Sequence, residues 1–290
     1  MSVKSLAYFG IFVFVVLLAT LFSIAGGAGG AVLDGLSVFA LCTMLAFALQ
    51  WLMFVPAYKY QTEHYYDLTG SVSYLAVIAV ALTLVDTLDG RAIVLGVLVS
   101  VWALRLGSFL FMRIAKDGSD SRFDEIKPVF WRFLNTWTLQ GLWVIVTAGC
   151  ALAAITSQQR VPLGIVGISG MLLWLTGFTI EVVADQQKRR QRSDPNTQST
   201  FIQSGLWAYS RHPNYFGEIV LWIGIAMIAY PPLVEWQHVT LLSPVFVVLL
   251  LTRVSGIPLL EAKADKRWQD NADYQHYKAR TPVLIPRFKK

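Results

Sequence analysis

The sequence predicts an all-α protein, a polytopic transmembrane helix bundle of about eight segments. Three observations predict it. The 290 residues are 55% hydrophobic and only 14% charged, with a mean hydropathy of +0.53, whereas a soluble domain carries about 25% charged residues. Apolar runs of the length that spans a bilayer as a helix, about 17 to 25 residues, recur along the chain. The positive charge gathers on one face of the topology those runs define.

The first run, 6–24, has only Lys4 before it and reads as a retained helix rather than a cleaved signal; the small-residue tract Gly26 to Ala31 suits a tight connection. Further segments are predicted at 36–58, 72–88, 93–114, 139–157, 163–183, 214–230 and 239–258. The last two are short and carry Pro231, Pro232, Pro244 and Pro258, which fits a tilted hairpin. Between them, the stretch 115–138 alternates acids, bases and aromatics, and Phe130, Trp131 and Phe133 fit an interfacial helix. The tail from 259 is amphiphilic and is expected to cap the cytoplasmic surface. No long Gly/Ser-rich or Pro-rich linker and no internal repeat divides the chain, so residues 1–290 read as a single integral membrane domain.

Eight crossings put both termini and the connections near 59–71, 115–138 and 184–213 on one side. Of the 24 Lys and Arg, only Arg91 and Arg160 fall on the other side, and only Arg105, Arg253 and, at the very end of its segment, Arg113 fall within segments. The positive-inside rule makes the charged face cytoplasmic. It also accounts for the net charge of +6 without nucleic acid, since no soluble basic domain is present. Cys42 and Cys150 lie within apolar runs, and His64, His212, His238 and His276 lack metal-ligand spacing, so neither a disulfide framework nor a metal site is expected. No protein partner is inferred.

Ionisable groups in membrane segments are costly and mark functional interiors. Glu181 and Asp185 sit one helical turn apart, Glu218 lies early in the seventh segment, and Arg105 and Arg253 complete the set. The alternative for such groups is snorkelling or structural pairing near the segment ends. In the string SRHPNYFGE, Pro213 starts a helix, followed by Asn214, Tyr215 and Glu218, and Gly217 permits close backbone approach. That helix N-terminus is flanked by Arg211 and His212, with Lys188, Arg189, Arg190 and Arg192 upstream. This is an anion-binding pattern that fits a phosphate-rich ligand. Taken alone, the KRRQR run reads as an anchor to anionic lipid.

The connection YQTEHYYDLTG, Tyr60 to Gly70, is rich in proton donors. Burial is expected to raise the pKa of Glu63. Glu63, with Gln61, Tyr65 or Tyr66, would then polarise a substrate carbonyl as a general acid. The alternative is an interfacial aromatic belt with ordinary surface acids. No GxGxxG, GxxxxGK[ST] or GxSxG string occurs, which leaves a Rossmann module, a P-loop and a hydrolase elbow unsupported.

The run GLWAYSRHPNYFGE, Gly205 to Glu218, resembles the signature of the steroid 5-alpha-reductase family and the uncharacterised bacterial membrane proteins related to it. ADQQK at Ala184 to Lys188, RLGSFLFMR at Arg105 to Arg113 and DYQHYKARTPVLIP at Asp273 to Pro286 extend the likeness. It runs from about residue 59 onward, with 184–290 as the cofactor-binding part. The resemblance implies a helix bundle holding NADPH in a cytoplasm-facing cavity, with a lipid or steroid-like enone entering from the bilayer. By the same resemblance, Asn214 and Glu218 contact the nicotinamide half, and Asp185 is an acidic cofactor contact. Arg105 and Arg113 match arginines set against the cofactor, and Tyr274 or Tyr277 matches a C-terminal Tyr. The family's adjacent Gln-Glu pair is interrupted here, Gln61 and Glu63 being split by Thr62, and Trp102 stands at the family's Tyr position.

The expected function is NADPH-dependent reduction of a carbon–carbon double bond conjugated to a carbonyl. One alternative is S-adenosylmethionine-dependent methyl transfer, because isoprenylcysteine and phospholipid methyltransferases carry a similar RHPxYxG string beside a C-terminal Glu, here Glu261. Another is a transporter or structural membrane protein. The absence of a retrieval signal and the lipid-embedded build suit a bacterial inner membrane.

Overall fold

The computed structural model describes residues 3–117, 120–197 and 199–287. Its architecture is helical throughout, apart from one two-residue hairpin, and it divides into two compact units. The first comprises 1–167 and 228–243; the second comprises 168–227 and 244–290.

In the first unit, α1 (Val3–Gly27), α2 (Val38–Lys59), α3 (Tyr66–Thr83) and α4 (Gly90–Asp117) pack around α5 (Phe130–Thr156). Helix α5 is apolar all round and almost wholly buried, as a central helix must be. In contrast α1 exposes Leu6, Phe14, Leu17, Leu21 and Ile24, an apolar face suited to lipid. The hairpin β1 (Val32–Leu33) and β2 (Leu36–Ser37) turns at Asp34 and Gly35, both at positive φ as a tight primed turn needs. Ser37 then caps α2 by accepting from the Ala40 N–H at 3.1 Å.

The chain continues into α6 (Gly164–Ser193) and, after a 3-10 turn at Gly205–Ala208, α7 (Pro213–Ala229). A second 3-10 stretch, Glu235–Leu241, leads to α8 (Leu242–Leu249) and a π turn at Leu250–Val254. Then come α9 (Ile257–Trp268) and α10 (Ala272–Arg280). Among the described residues, seven helical stretches are long and apolar enough to cross a membrane, and Pro213–Ala229 is a shorter apolar helix. The protein is an integral membrane protein, and each of the eight predicted segments has a helical counterpart.

Three boundaries differ most from the prediction. Helix α3 begins at Tyr66, so half of the supposed polar connection is helical; Asp67 lies in its first turn, where the helix dipole favours an acid. Helix α5 begins at Phe130 rather than 139. Of its aromatic start, Phe133 and Trp137 are buried in a cluster with Phe54, Tyr66 and Phe123, while Phe130 is exposed. Helix α6 runs unbroken through the basic KRRQR stretch to Ser193; its 30 residues span about 45 Å, well beyond a hydrocarbon core of about 30 Å.

Candidate cofactor site

The second unit is organised by the crossing of α6 and α7. Glycines place the two backbones in contact: a Cβ on Gly217 would lie 2.5 Å from the Gly177 carbonyl oxygen, and one on Gly224 would lie 2.6 Å from that of Gly170. This approach lets the Asn214 amide donate to Asp185 Oδ1 at 3.1 Å, joining the start of α7 to α6. The 3-10 turn between the helices is pinned to α6 as well. The Trp207 indole donates to the Ala184 carbonyl at 3.0 Å, and Gln187 Oε1 accepts from the Leu206 N–H at 3.0 Å.

Beside these elements is a cavity of about 390 Å³, within the range of small-ligand sites. Its cationic lining is Lys188, Arg192, Arg211, Lys263 and Arg267, against the carboxylate of Glu261. Its aromatic lining is Phe201, Trp207, Trp268, Tyr274 and Tyr277. Phe201 is the hub of that wall, with ring centroids 6.0 Å from Trp268, 5.3 Å from Tyr274 and 5.6 Å from Tyr277. The Lys188 ammonium lies 4.7 Å above the Trp207 ring. Tyr277 donates to the Trp207 carbonyl at 2.7 Å and Tyr274 to Asp265 at 2.9 Å. Burial pushes both phenols up, so they stay protonated and hold the wall in place.

At the start of α7, Arg211 Nη1 donates to Glu261 Oε2 at 2.5 Å and His212 Nε2 lies 2.8 Å from Glu261 Oε1. The imidazole also stacks on Tyr215, centroids 5.7 Å apart and planes within 10°. The C-terminal tail laces this segment down: the Arg211 N–H donates to the Pro282 carbonyl and the Arg287 N–H to the Tyr209 carbonyl. Ser210 Oγ donates to the Leu284 carbonyl at 2.7 Å. Three side-chain atoms within four residues, Arg211 Nε, His212 Nδ1 and Asn214 Oδ1, are nonetheless buried without a hydrogen-bond partner among the described residues. Such groups are rare and call for an explanation; a polar ligand supplies one.

Of the predicted cofactor residues, Lys188, Arg192, Arg211, His212, Tyr274 and Tyr277 line this one cavity. Asp185, Asn214 and Tyr215 form the framework beside it, and Glu218 follows Asn214 by one turn of α7. His212 adds no positive charge there, because burial lowers its pKa beyond what Glu261 restores, leaving the ring neutral near pH 7. Sequence reasoning missed Phe201, Lys263, Arg267 and Trp268, and kept Glu261 only as a mark of the methyltransferase alternative. The signal for the α9 residues was their spacing, since 260, 264 and 267 share one helix face.

The remaining predicted residues belong to the first unit. Gln61 is exposed at positive φ, its amide donating to the Tyr58 carbonyl at 2.7 Å, and Tyr65 is exposed. Tyr66 is buried and donates to the Thr136 carbonyl at 3.0 Å. Arg105 lies in α4, its guanidinium 5.5 Å from the Phe109 ring centroid. The side chain of Arg113 lies outside the described residues. Glu63 corrects an expectation. Burial pushes its carboxyl up, but the Lys127 ammonium at 2.6 Å and the Asp120 N–H at 2.8 Å outweigh burial and hold it below the ordinary value. It is an ionised, paired carboxylate rather than a neutral acid.

Fold and site together define a helical membrane protein with a cationic, aromatic-walled ligand cavity in one unit. The chain belongs to the family described as Protein of unknown function (DUF1295), whose model matches residues 51–281. It is similar to the 3-oxo-5-alpha-steroid 4-dehydrogenase 1 of Rattus norvegicus, 30% identical over 119 residues, 41% of this chain and 40% of the relative. It is similar also to that of Macaca fascicularis, 30% identical over 117 residues (40% and 39%), and to that of Homo sapiens, 38% identical over 61 residues (21% and 24%). The chain thus spans about two fifths, at most, of the length of these curated relatives. No solved structure matches it.

Proposed function

We infer that this protein is a membrane-embedded, NADPH-dependent reductase of a conjugated carbon–carbon double bond in a lipid or steroid-like enone. The observation that carries the reading is the charge of the cavity. Lys188, Arg192, Arg211, Lys263 and Arg267 outnumber Glu261 there, which suits a ligand with several phosphates. S-adenosylmethionine, a net cation with no phosphate, is repelled by the same lining. The extra phosphate of NADPH over NADH adds to the fit. When bound, the dinucleotide supplies the hydride.

The residues of the second unit do the holding. Arg192, Lys263 and Arg267 take phosphate oxygens, and the aromatic wall offers faces for a base to stack on. The start of α7 presents backbone N–H groups and the unpartnered amide oxygen of Asn214. Gln61, Glu63, Tyr65 and Tyr66 remain our candidates for handling the substrate carbonyl. Among them Tyr65 is exposed; Glu63, being ionised, only accepts hydrogen bonds and would orient a donor rather than meet the carbonyl itself.

Methyl transfer is the second reading, favoured by the contact of His212 with Glu261, the two residues that carry the methyltransferase resemblance. Thermal stability of the purified protein in mild detergent separates the readings. A ligand at 100 times its Kd adds about 2.7 kcal/mol. Stabilisation by NADPH, weaker with NADH and lost in Asn214→Ala and Glu218→Ala, is the expected result. Stabilisation by S-adenosylmethionine alone overturns the reductase in favour of methyl transfer.

A further inference from the structure

An ionised carboxylate only accepts hydrogen bonds, so the ring nitrogen facing Glu261 carries the hydrogen: Nε2–H donates at 2.8 Å. With the imidazole neutral, Nδ1 is left as a bare lone pair. That atom is buried and meets no donor among the described residues. The His212 side chain is 5% exposed and lines the cavity, and with Nε2 committed, Nδ1 is the nitrogen left for a ligand. The arrangement is braced on every side. Arg211 fixes Glu261 at 2.5 Å, Tyr215 stacks on the ring, and the His212 backbone N–H donates to Ser210 Oγ at 3.2 Å.

We propose that His212 reads a hydrogen-bond donor of the bound dinucleotide, accepting an O–H or N–H at Nδ1, with Glu261 as the positioning residue that fixes the ring's tautomer. This deepens the reductase reading and rests on it. The cations of the cavity answer the phosphates; Nδ1 answers a donor, which a dinucleotide offers in its ribose hydroxyls and in its carboxamide. Glu261 is thereby a tautomer lock that the phosphate-binding cations cannot replace.

The test is titration of the purified full chain in detergent with NADPH and with its 3-acetylpyridine analogue, in which a methyl ketone replaces the carboxamide. His212→Asn presents an amide oxygen near the place of Nδ1 and keeps NADPH affinity within about threefold, whereas His212→Gln reaches only the place of Nε2 and loses about tenfold. If the donor is the carboxamide, the analogue costs the wild type the same factor and His212→Gln loses nothing more. If it is a ribose hydroxyl, the two losses multiply. Glu261→Gln supplies the check where the His212 variants do not fold. Its amide can donate to Nε2, which moves the ring hydrogen to Nδ1 and costs about tenfold. NADPH bound equally by wild type, His212→Gln and Glu261→Gln overturns this inference alone. A wild type that does not bind NADPH overturns the reductase reading with it.

Discussion

At the scale of single residues, the decisive fact is that burial and charge compete and neighbours decide the winner. Glu63 is nearly inaccessible, with 2% of its side chain exposed, yet Lys127 and the Asp120 N–H keep it ionised. Its folded pKa lies below its unfolded value, so the unfolded chain binds the extra proton in acid. The stabilisation is present above the unfolded pKa of about 4.3 and is lost as pH falls through the folded value. His212 also has a depressed folded pKa, and its loss starts earlier, below about pH 6.5. Removing the partner tests the pair directly. Lys127→Met strands a buried carboxylate and is expected to cost about 3 to 5 kcal/mol, while Glu63→Gln with Lys127→Met recovers most of it. Melting curves of the three proteins check this; a Lys127→Met protein that melts with the wild type refutes it. The polarity of the Tyr60 to Gly70 string was legible in the sequence. Its outcome was not, because Lys127 lies 64 residues away, and the same distance problem hid the pairing of Glu261 with Arg211 and His212.

At the scale of elements, the apolar runs located α1 to α8 but not α9 and α10 of the tail, and helix ends were set by contacts that no local pattern contains. Helix α5 starts nine residues early because Phe130, Phe133 and Trp137 pack with aromatics of α2 and of the segment before it. Gly217 was legible as a point of close approach, and the structure shows the approach: a Cβ there would meet the Gly177 carbonyl oxygen at 2.5 Å and the Glu181 N at 2.7 Å, atoms that cannot swing aside. Gly10, in α1, has open space around its Cβ position. Gly217→Ala is therefore expected to destabilise by about 1 to 3 kcal/mol through backbone displacement, and to weaken NADPH binding by separating Asn214 from Asp185. Gly10→Ala is expected to stabilise by about 0.5 to 1 kcal/mol, because alanine removes only unfolded-chain freedom. Thermal shifts of the two variants read the contrast directly, and equal melting temperatures would contradict the tight crossing.

At the scale of the whole molecule, charge segregation carries information that apolar length does not. Helix lengths admit seven or eight crossings, since Pro213–Ala229 falls short of the usual span. By the positive-inside rule, the KRRQR end of α6 and the Lys/Arg-rich tail are expected on one face, which asks for an even number of crossings between them. The division into two units was not visible in composition, because its boundaries at 167/168, 227/228 and 243/244 fall inside α6, α7 and α8 rather than in linkers. The topology is open to labelling. Cys42 and Cys150 are buried and give little background to a membrane-impermeant thiol reagent. Thr87→Cys lies in the exposed turn between α3 and α4, and Ser199→Cys lies in the exposed stretch after α6. In intact bacterial spheroplasts we expect Thr87→Cys to react and Ser199→Cys to react only after the membrane is opened. The reverse order would turn the charged face outward, away from cytoplasmic NADPH, and would remove the physical basis for placing the cofactor cavity on the cytoplasmic side; equal labelling of both before lysis would mean that the α4–α6 region does not cross as its helices imply.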